Sequence, residues 1–310
     1  MPPFSLDDLR AEPDPRDPRA SALLRPWDGA ASLAGRGVLL GLPYDGGIPT
    51  RPGARFGPAA LREALAGFTT FDHHRERSDG PGLLDLGDLE LPGMDGAAAH
   101  ARIEEAARRV FAAGARPVFV GGDHGCTGSI LRGLAAARPA LRLGLLSVDA
   151  HLDVREYDDD ARLSSGTPFR RALETAVLAP ARVAMLGLRR FANSRHHWQW
   201  AQAQGLWLYE VEDVAHLGAA TAAREAVERI MNAADALYLS VDLDAADAAF
   251  APGVSAAGVG GLTSRELLTI VRTAAADPRL VGADLMELSP PHDPDARTAR
   301  LAARLLLELV

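Results

Sequence analysis

Three apolar runs in this 310-residue chain end in side chains that bind metal ions. Leu143-Gly-Leu-Leu-Ser-Val runs into Asp149-Ala-His151-Leu-Asp153, Ala236-Leu-Tyr-Leu-Ser-Val into Asp242-Leu-Asp244, and Arg116-Pro-Val-Phe-Val-Gly-Gly into Asp123-His124. A strand sends every second side chain to the same face, so Asp149, His151 and Asp153 can converge, as can Asp242 and Asp244. A single Asp or His after an apolar strand is ordinarily a cap or turn residue. Capping does not explain three strand ends that each pair ligand types. Together Asp123, His124, Asp149, His151, Asp153, Asp242 and Asp244 offer five carboxylates and two imidazoles. That is too many for one first-row ion and suits two that share bridging carboxylates. A water between two such ions ionises far more readily than bulk water.

The elements that must carry these residues alternate along the chain. Short β-like runs (Val38–Leu42, Gly82–Leu86, Val118–Val120, Leu143–Val148, Val183–Leu186, Leu206–Tyr209, Leu237–Val241, Leu280–Leu285) are separated by Ala- and Arg-rich helical segments. Near-continuous apolar strands between helices predict a three-layer α/β/α fold with a mostly parallel central sheet. Sites in such sheets lie beyond the C-terminal strand ends, where all three ligand segments fall. Residues 1–35, rich in Pro, Asp, Arg and Ala, read as an arm or irregular lead-in, and 36–310 as a single catalytic domain. Gly258-Val-Gly-Gly261 lacks the spacing of a dinucleotide fingerprint and reads as a flexible loop over the site.

Composition narrows the class. With 47% hydrophobic and 24% charged residues the chain is globular, and a net charge of −8 argues against a nucleic-acid partner. One cysteine, Cys126, cannot form an internal disulfide, and the N-terminus lacks a signal peptide's basic and apolar regions, so a cytoplasmic location is expected. No apolar run reaches the roughly 18 residues a membrane span needs.

The set of motifs resembles the ureohydrolase superfamily of arginases, agmatinases and formimidoylglutamases. The matching segments are Arg51–Pro58, Gly121-Gly-Asp-His124, Ser147–Asp153, Ser240-Val-Asp-Leu-Asp244, Ala251-Pro-Gly253 and Glu287-Leu-Ser-Pro290, in family order. The resemblance implies an arginase-like fold and two Mn²⁺ per subunit. It implies His124, Asp149, Asp153 and Asp242 on one ion and Asp149, His151, Asp242 and Asp244 on the other, with Asp149 and Asp242 bridging. Asp123 then supports its neighbour His124 rather than binding an ion. Glu287 is expected to face the cationic nitrogen of the substrate, and Asp244 to carry a proton to the leaving nitrogen as well as bind metal. A homo-oligomer is also implied.

Departures from the arginase and agmatinase pattern bear on the substrate. Where those enzymes have a His-Gly pair, this chain has Ser165-Gly within Ser-Ser-Gly-Thr-Pro-Phe169, which resembles formimidoylglutamases, as do Phe191-Ala-Asn193-Ser and Ala251–Ala256. The implied reaction is hydrolysis of N-formimidoyl-L-glutamate to L-glutamate and formamide, in histidine breakdown, by a metal-bridging hydroxide; the alternative is an agmatinase or other guanidino-compound hydrolase releasing urea. A dianionic substrate calls for arginines, which bind carboxylates bidentately. Arg155 is the first candidate, followed by Arg190 and Asn193, with Ser165 also in the pocket. The acidic run Asp158–Asp160 is read as a solvated loop, and His196-His197 as surface or packing residues. A binuclear phosphoesterase would need late histidine ligands that are absent, and a non-catalytic relative would show a broken ligand set.

Overall fold

The computed structural model describes residues 14–48, 50–73, 82–91, 95–157 and 163–310. Among these, nine strands form one sheet: β1 (Leu24–Pro26), β2 (Gly37–Gly41), β3 (Leu83–Asp88), β4 (Arg116–Val120), β5 (Leu143–Val148), β6 (Val183–Leu188), β7 (Trp207–Glu210), β8 (Ala236–Asp242) and β9 (Leu280–Met286). Their spatial order is β1-β3-β2-β4-β9-β8-β5-β6-β7, and every pairing between them is parallel. The four strands β4, β9, β8 and β5 are therefore neighbours at the centre, although the chain visits them far apart in sequence.

Alternation along the strands splits the core between the two faces. On one face Val118, Val120, Leu239, Val241 and Leu285 pack against helices α1 (Gly57–Ala64), α7 (Ala219–Met231), α8 (Ser264–Ala275) and α9 (Arg297–Glu308). On the other, Phe119, Leu145, Met185 and Tyr238 meet α2 (Gly96–Ala112), α3 (Gly125–Ala137) and α4 (Pro168–Glu174). Burial on both faces explains why these strands read as continuous apolar runs. Local signals agree with the element ends: Asp95 caps α2 by accepting from Ala98 N at 2.8 Å, and Thr263 with Glu266 forms a capping box at α8. No described helix is long and apolar enough to cross a membrane.

Two expectations change. The lead-in is not wholly outside the sheet: Ala20 is fully buried and Leu24–Pro26 pairs in parallel with Leu83–Asp85 as an edge strand. Helix α6 (Val211–Leu217) was not anticipated, since seven residues are too few to show a 3.6-residue period. The remaining helix, α5, spans Arg195–Gln204.

Helices α2 and α3 meet at a buried histidine. His100 Nδ1 lies 2.9 Å from Ser129 Oγ, its ring edge packs on Tyr44 at 5.3 Å, and only 4% of the residue is exposed. Burial, aided by the Arg132 cation, lowers His100 from 6.5 to about 4. A histidine held neutral on folding contributes stability that is complete above its unfolded pKa and is lost as pH falls through the folded value. Metal-free protein is therefore expected to lose on the order of 3 kcal/mol more than a His100→Gln variant between pH 6.5 and 4, read from urea midpoints. Parallel pH profiles for the two proteins would contradict this.

Candidate metal centre and active site

Each candidate ligand leaves a central strand at its C-terminal end. Beyond β4 the chain threads between two neighbours: Gly122 N donates to Leu42 O, Asp123 N to Tyr44 O at 2.8 Å, and Gly122 O accepts from Glu287 N at 2.9 Å. A Cβ on Gly122 would sit 1.9 Å from Tyr44 O, so only glycine permits this approach. His124 follows at the N-cap of α3. Beyond β5, Asp149 N bonds Leu186 O at 3.0 Å, and the segment turns at Asp153 with φ 49°. Asp242 ends β8 and accepts from Asp244 N at 2.8 Å, while Glu287 leaves β9 with φ 69°. Positive φ on a carboxylate residue costs on the order of 1–3 kcal/mol and persists only where its surroundings enforce it.

The ligand atoms form two overlapping groups, His124 with Asp149, Asp153 and Asp242, and Asp149 with His151 and Asp244. His124 Nδ1 lies 3.1, 2.9 and 3.3 Å from Asp149, Asp153 and Asp242 oxygens. His151 Nδ1 lies 3.0 Å from Asp244 Oδ2 and 3.5 Å from Asp149 Oδ1. Asp242 groups with the first set only; Asp149 is shared by both.

A buried network orients His124. Its Nε2 lies 2.9 Å from Ser240 Oγ, and Ser240 donates its single proton to Asp284 at 2.6 Å. Thr127 and Tyr238 hydroxyls donate to the other Asp284 oxygen, each at 3.0 Å. Ser240 must then accept from His124 Nε2–H, which leaves the Nδ1 lone pair aimed at three carboxylates. Neither His124 Nδ1 nor Asp149 Oδ2 has a hydrogen-bond partner, and both are buried. A lone pair facing carboxylate oxygens needs a cation between them.

The titration behaviour says the same. Burial, then the Asp149 charge, pushes Asp153 up to about 7. Burial and the Asp244 and Asp149 charges drive Asp242 well above the carboxylate range. Burial acts to raise Asp149 too, but contacts with His124 and His151 hold it below its usual value. His151 is raised to about 12, chiefly by Asp244, and His124 rises despite its burial because of Asp149, Asp153 and Asp242. Two imidazoles cannot compensate these carboxylates. Two divalent cations would balance the charge of Asp149, Asp153, Asp242 and Asp244, so the residues fit such a pair.

Glu287, 1% exposed, accepts from His124 N at 2.9 Å and from Ser255 Oγ at 2.5 Å, and burial raises its pKa. It shares with Asp242, Asp244 and His151 the floor of a pocket of about 200 Å³. Arg155 and Ser165 also line this pocket, and Ser165 Oγ is buried and, among the described residues, unpartnered. Asp123 accepts from Gly47 N at 2.7 Å, and burial together with Glu287 raises it to about 8, so it ties a neighbouring loop beside His124.

One expected substrate contact changes, and another has a second role. Asn193 lines the pocket and also braces the backbone around His151, its Oδ1 accepting from Leu152 N (2.9 Å) and its Nδ2 donating to Ala150 O (3.0 Å), which leaves one amide proton and one lone pair over. Arg190 is exposed, lies over the Phe191 ring at 5.6 Å and does not line the pocket. The loop 258–261 is pinned rather than free, since Asp247 Oδ2 accepts from Gly260 N and Gly261 N at 2.6 and 3.2 Å. Asp158–Asp160 lie outside the described residues. Sequence reasoning missed the Ser240–Asp284–Tyr238 network and the Ser255 contact. An Asp inside the apolar run Leu280–Met286 was the available signal for the first.

Comparison with known proteins agrees with this geometry. The Arginase family model matches residues 36–310. The chain is 39% identical over 297 residues to a formimidoylglutamase of Halobacterium salinarum, covering 94% of this chain and 93% of that protein. It is 38% identical over 276 residues to a guanidinopropionase of Pseudomonas aeruginosa, covering 88% and 85%. The crystal structure of Trypanosoma cruzi formiminoglutamase with Mn2+2 superposes with a TM-score of 0.85 at 28% identity, covering 94% of this chain and 97% of that one. On a match that takes in the whole span carrying these ligands, the chain belongs to the arginase family of hydrolases, acting on amidine or guanidino C–N bonds.

Proposed function

We propose that this hydrolase cleaves N-formimidoyl-L-glutamate with water to L-glutamate and formamide. The observation that carries the reading is the polarity of the pocket lining, which joins the buried carboxylates Asp242, Asp244 and Glu287 to an exposed Arg155 that has no ion-pair partner among the described residues. An amidine head over carboxylates and a carboxylate tail at arginine match that polarity. The 39% identity to a formimidoylglutamase supports it. The 38% identity to guanidinopropionase favours a second reading, a guanidino acid releasing urea, which has the same charge layout. Agmatine lacks the carboxylate and brings a cationic tail to Arg155.

The oxygen-rich donor set suits Mn²⁺. His124, Asp149, Asp153 and Asp242 would hold one ion and Asp149, His151 and Asp244 the other, with Asp242 reaching the second ion only as the resemblance implies. Divalent ions there would acidify a coordinated water and so supply the nucleophile at neutral pH. The chain's own groups do the rest. Glu287, its oxygens fixed by His124 N and Ser255 but with lone pairs to spare, faces the amidinium and holds its cationic nitrogen in place. Asp244, fixed by Ala150 N at 3.4 Å and facing the pocket, is the group placed to pass a proton to the leaving nitrogen. The Ser165 hydroxyl offers the head group a hydrogen bond.

Manganese-loaded protein is expected to release formamide and glutamate from formimidoylglutamate in parallel assays with 3-guanidinopropionate, agmatine and arginine. Urea from a guanidino acid with no formamide would replace the first reading by the second. Asp242→Ala is expected to lose turnover and bound manganese while keeping its far-ultraviolet circular dichroism; full activity would remove Asp242 from the metal set. Ser240→Ala, which frees the His124 ring, is expected to weaken manganese affinity roughly 10–100-fold, measured by competition with a chelator. Unchanged affinity would mean that packing alone orients His124.

A further inference from the structure

We propose that His197 is a specificity-determining residue that, with Arg155, holds the carboxylate end of the substrate at the mouth of the pocket. This deepens the amidino-acid reading above and rests on it. His197 lies in the first turn of α5 and, half-buried, lines the same pocket as the exposed Arg155, Asn193, Ser194 and the buried carboxylates Asp242, Asp244 and Glu287. Its backbone N–H is taken by the cap, Ser194 Oγ, at 3.2 Å. Among the described residues neither ring nitrogen has a hydrogen-bond partner, although the residue is half-buried. The ring packs edge-on against His196 at 5.4 Å, which sets its plane.

Arg155 is held in the same way. Its N–H bonds Gly166 O at 2.8 Å, and its stem lies so close across Gly166 that a Cβ there would approach Arg155 Cδ to 2.6 Å. Glycine at 166 is what lets the side chain lie across this loop. The neighbouring acid does not neutralise the pair: Glu156 spends one oxygen on Arg170 (2.6 Å) and the other on His196 (3.1 Å). Burial, then the Arg155 charge, lowers the His197 pKa, so at neutral pH the ring is an uncharged donor beside a guanidinium. A guanidinium and an imidazole N–H, both without an acceptor among the described residues, form a carboxylate subsite. The sequence alone left His197 among surface residues because its chemistry depends on Arg155, 42 positions away.

The test uses the full-length, manganese-loaded protein, with L-glutamate as a calorimetric probe and formimidoylglutamate, 3-guanidinopropionate and agmatine as substrates. His197→Ala is expected to raise KM for whichever acid is turned over roughly tenfold, the loss of one charge-assisted hydrogen bond, with kcat within about twofold. L-Glutamate binding should weaken by the same factor, while manganese content and KM for agmatine stay unchanged. His197→Gln, whose amide can still donate, should recover most of the loss, which a purely structural role of the ring would not predict. Equal L-glutamate affinity and equal KM in wild type and His197→Ala would overturn the subsite while leaving formamide release intact. Urea from 3-guanidinopropionate, with the same tenfold KM effect, would keep the subsite and overturn the formimidoylglutamate reading. Turnover of agmatine alone, with no L-glutamate binding, would overturn both.

Discussion

Buried like charge is the constraint around which the centre of this molecule is built. Asp149, Asp242, Asp244 and Glu287 are each no more than 3% exposed, and among the described residues the ion-pair partners of the three aspartates are His124 and His151. No arginine enters that group. Carboxylates so placed repel one another in a medium that screens poorly, and leaving them uncompensated costs several kcal/mol per ion. The fold must therefore be strong enough elsewhere to hold them together, and whatever cation enters gains what the empty cluster lacks. Metal affinity and the stability of this end of the sheet are thus one linked quantity.

The sheet bears that cost through its strand order. Because β4, β9, β8 and β5 are adjacent, hydrogen-bonded backbone runs up to the ligands: Val120 pairs with Leu285, Val241 with both Leu285 and Val148, and Asp242 with Met286. The charged side chains sit on the last rung of a rigid ladder or within five residues of it rather than on long loops. Backbone donors then fix their oxygens, as Asp244 N does for Asp242 and His124 N for Glu287. Repulsion that would splay flexible loops is converted into a fixed set of ligand directions. The Asp284 network does the same for His124 from below, with three hydroxyl donors holding one buried carboxylate in place.

What could be read in the sequence follows from which interactions are local. Strand-end ligands in β5 and β8 were legible because a period of two and a run of apolar residues announce both the strand and the face. The helices α7, α8 and α9 were legible because each is long enough to show its apolar stripe. Asp284 was hidden inside an apolar strand, where its meaning comes from Ser240 on the paired strand, opposite it in register. The bracing role of Asn193 was hidden because an amide near a site can face either way, and only the positions of Leu152 N and Ala150 O show it. The edge strand at Leu24–Pro26 was hidden in a Pro-rich lead-in, since three residues carry no periodicity.

Separation of charge along the pocket divides the task of recognition. On the proposed reading, Arg155 and His197 select for a carboxylate, a feature that formimidoylglutamate and the guanidino acids share. The mouth therefore sorts amidino acids from cationic amines but cannot tell a formimidoyl carbon bearing hydrogen from a guanidino carbon bearing a further nitrogen. That distinction has to be made at the floor, where an extra N–H group either finds an acceptor or stays buried without one. Glu287 already accepts from Ser255 and His124, so its free directions are limited. Ser165, with a buried hydroxyl and no partner, stands where the resemblance places a histidine in arginases and agmatinases. A hydroxyl there is smaller than an imidazole and can donate as well as accept, so on the proposed reading the contact that separates formamide release from urea release would belong to Ser165 and Glu287 rather than to Arg155.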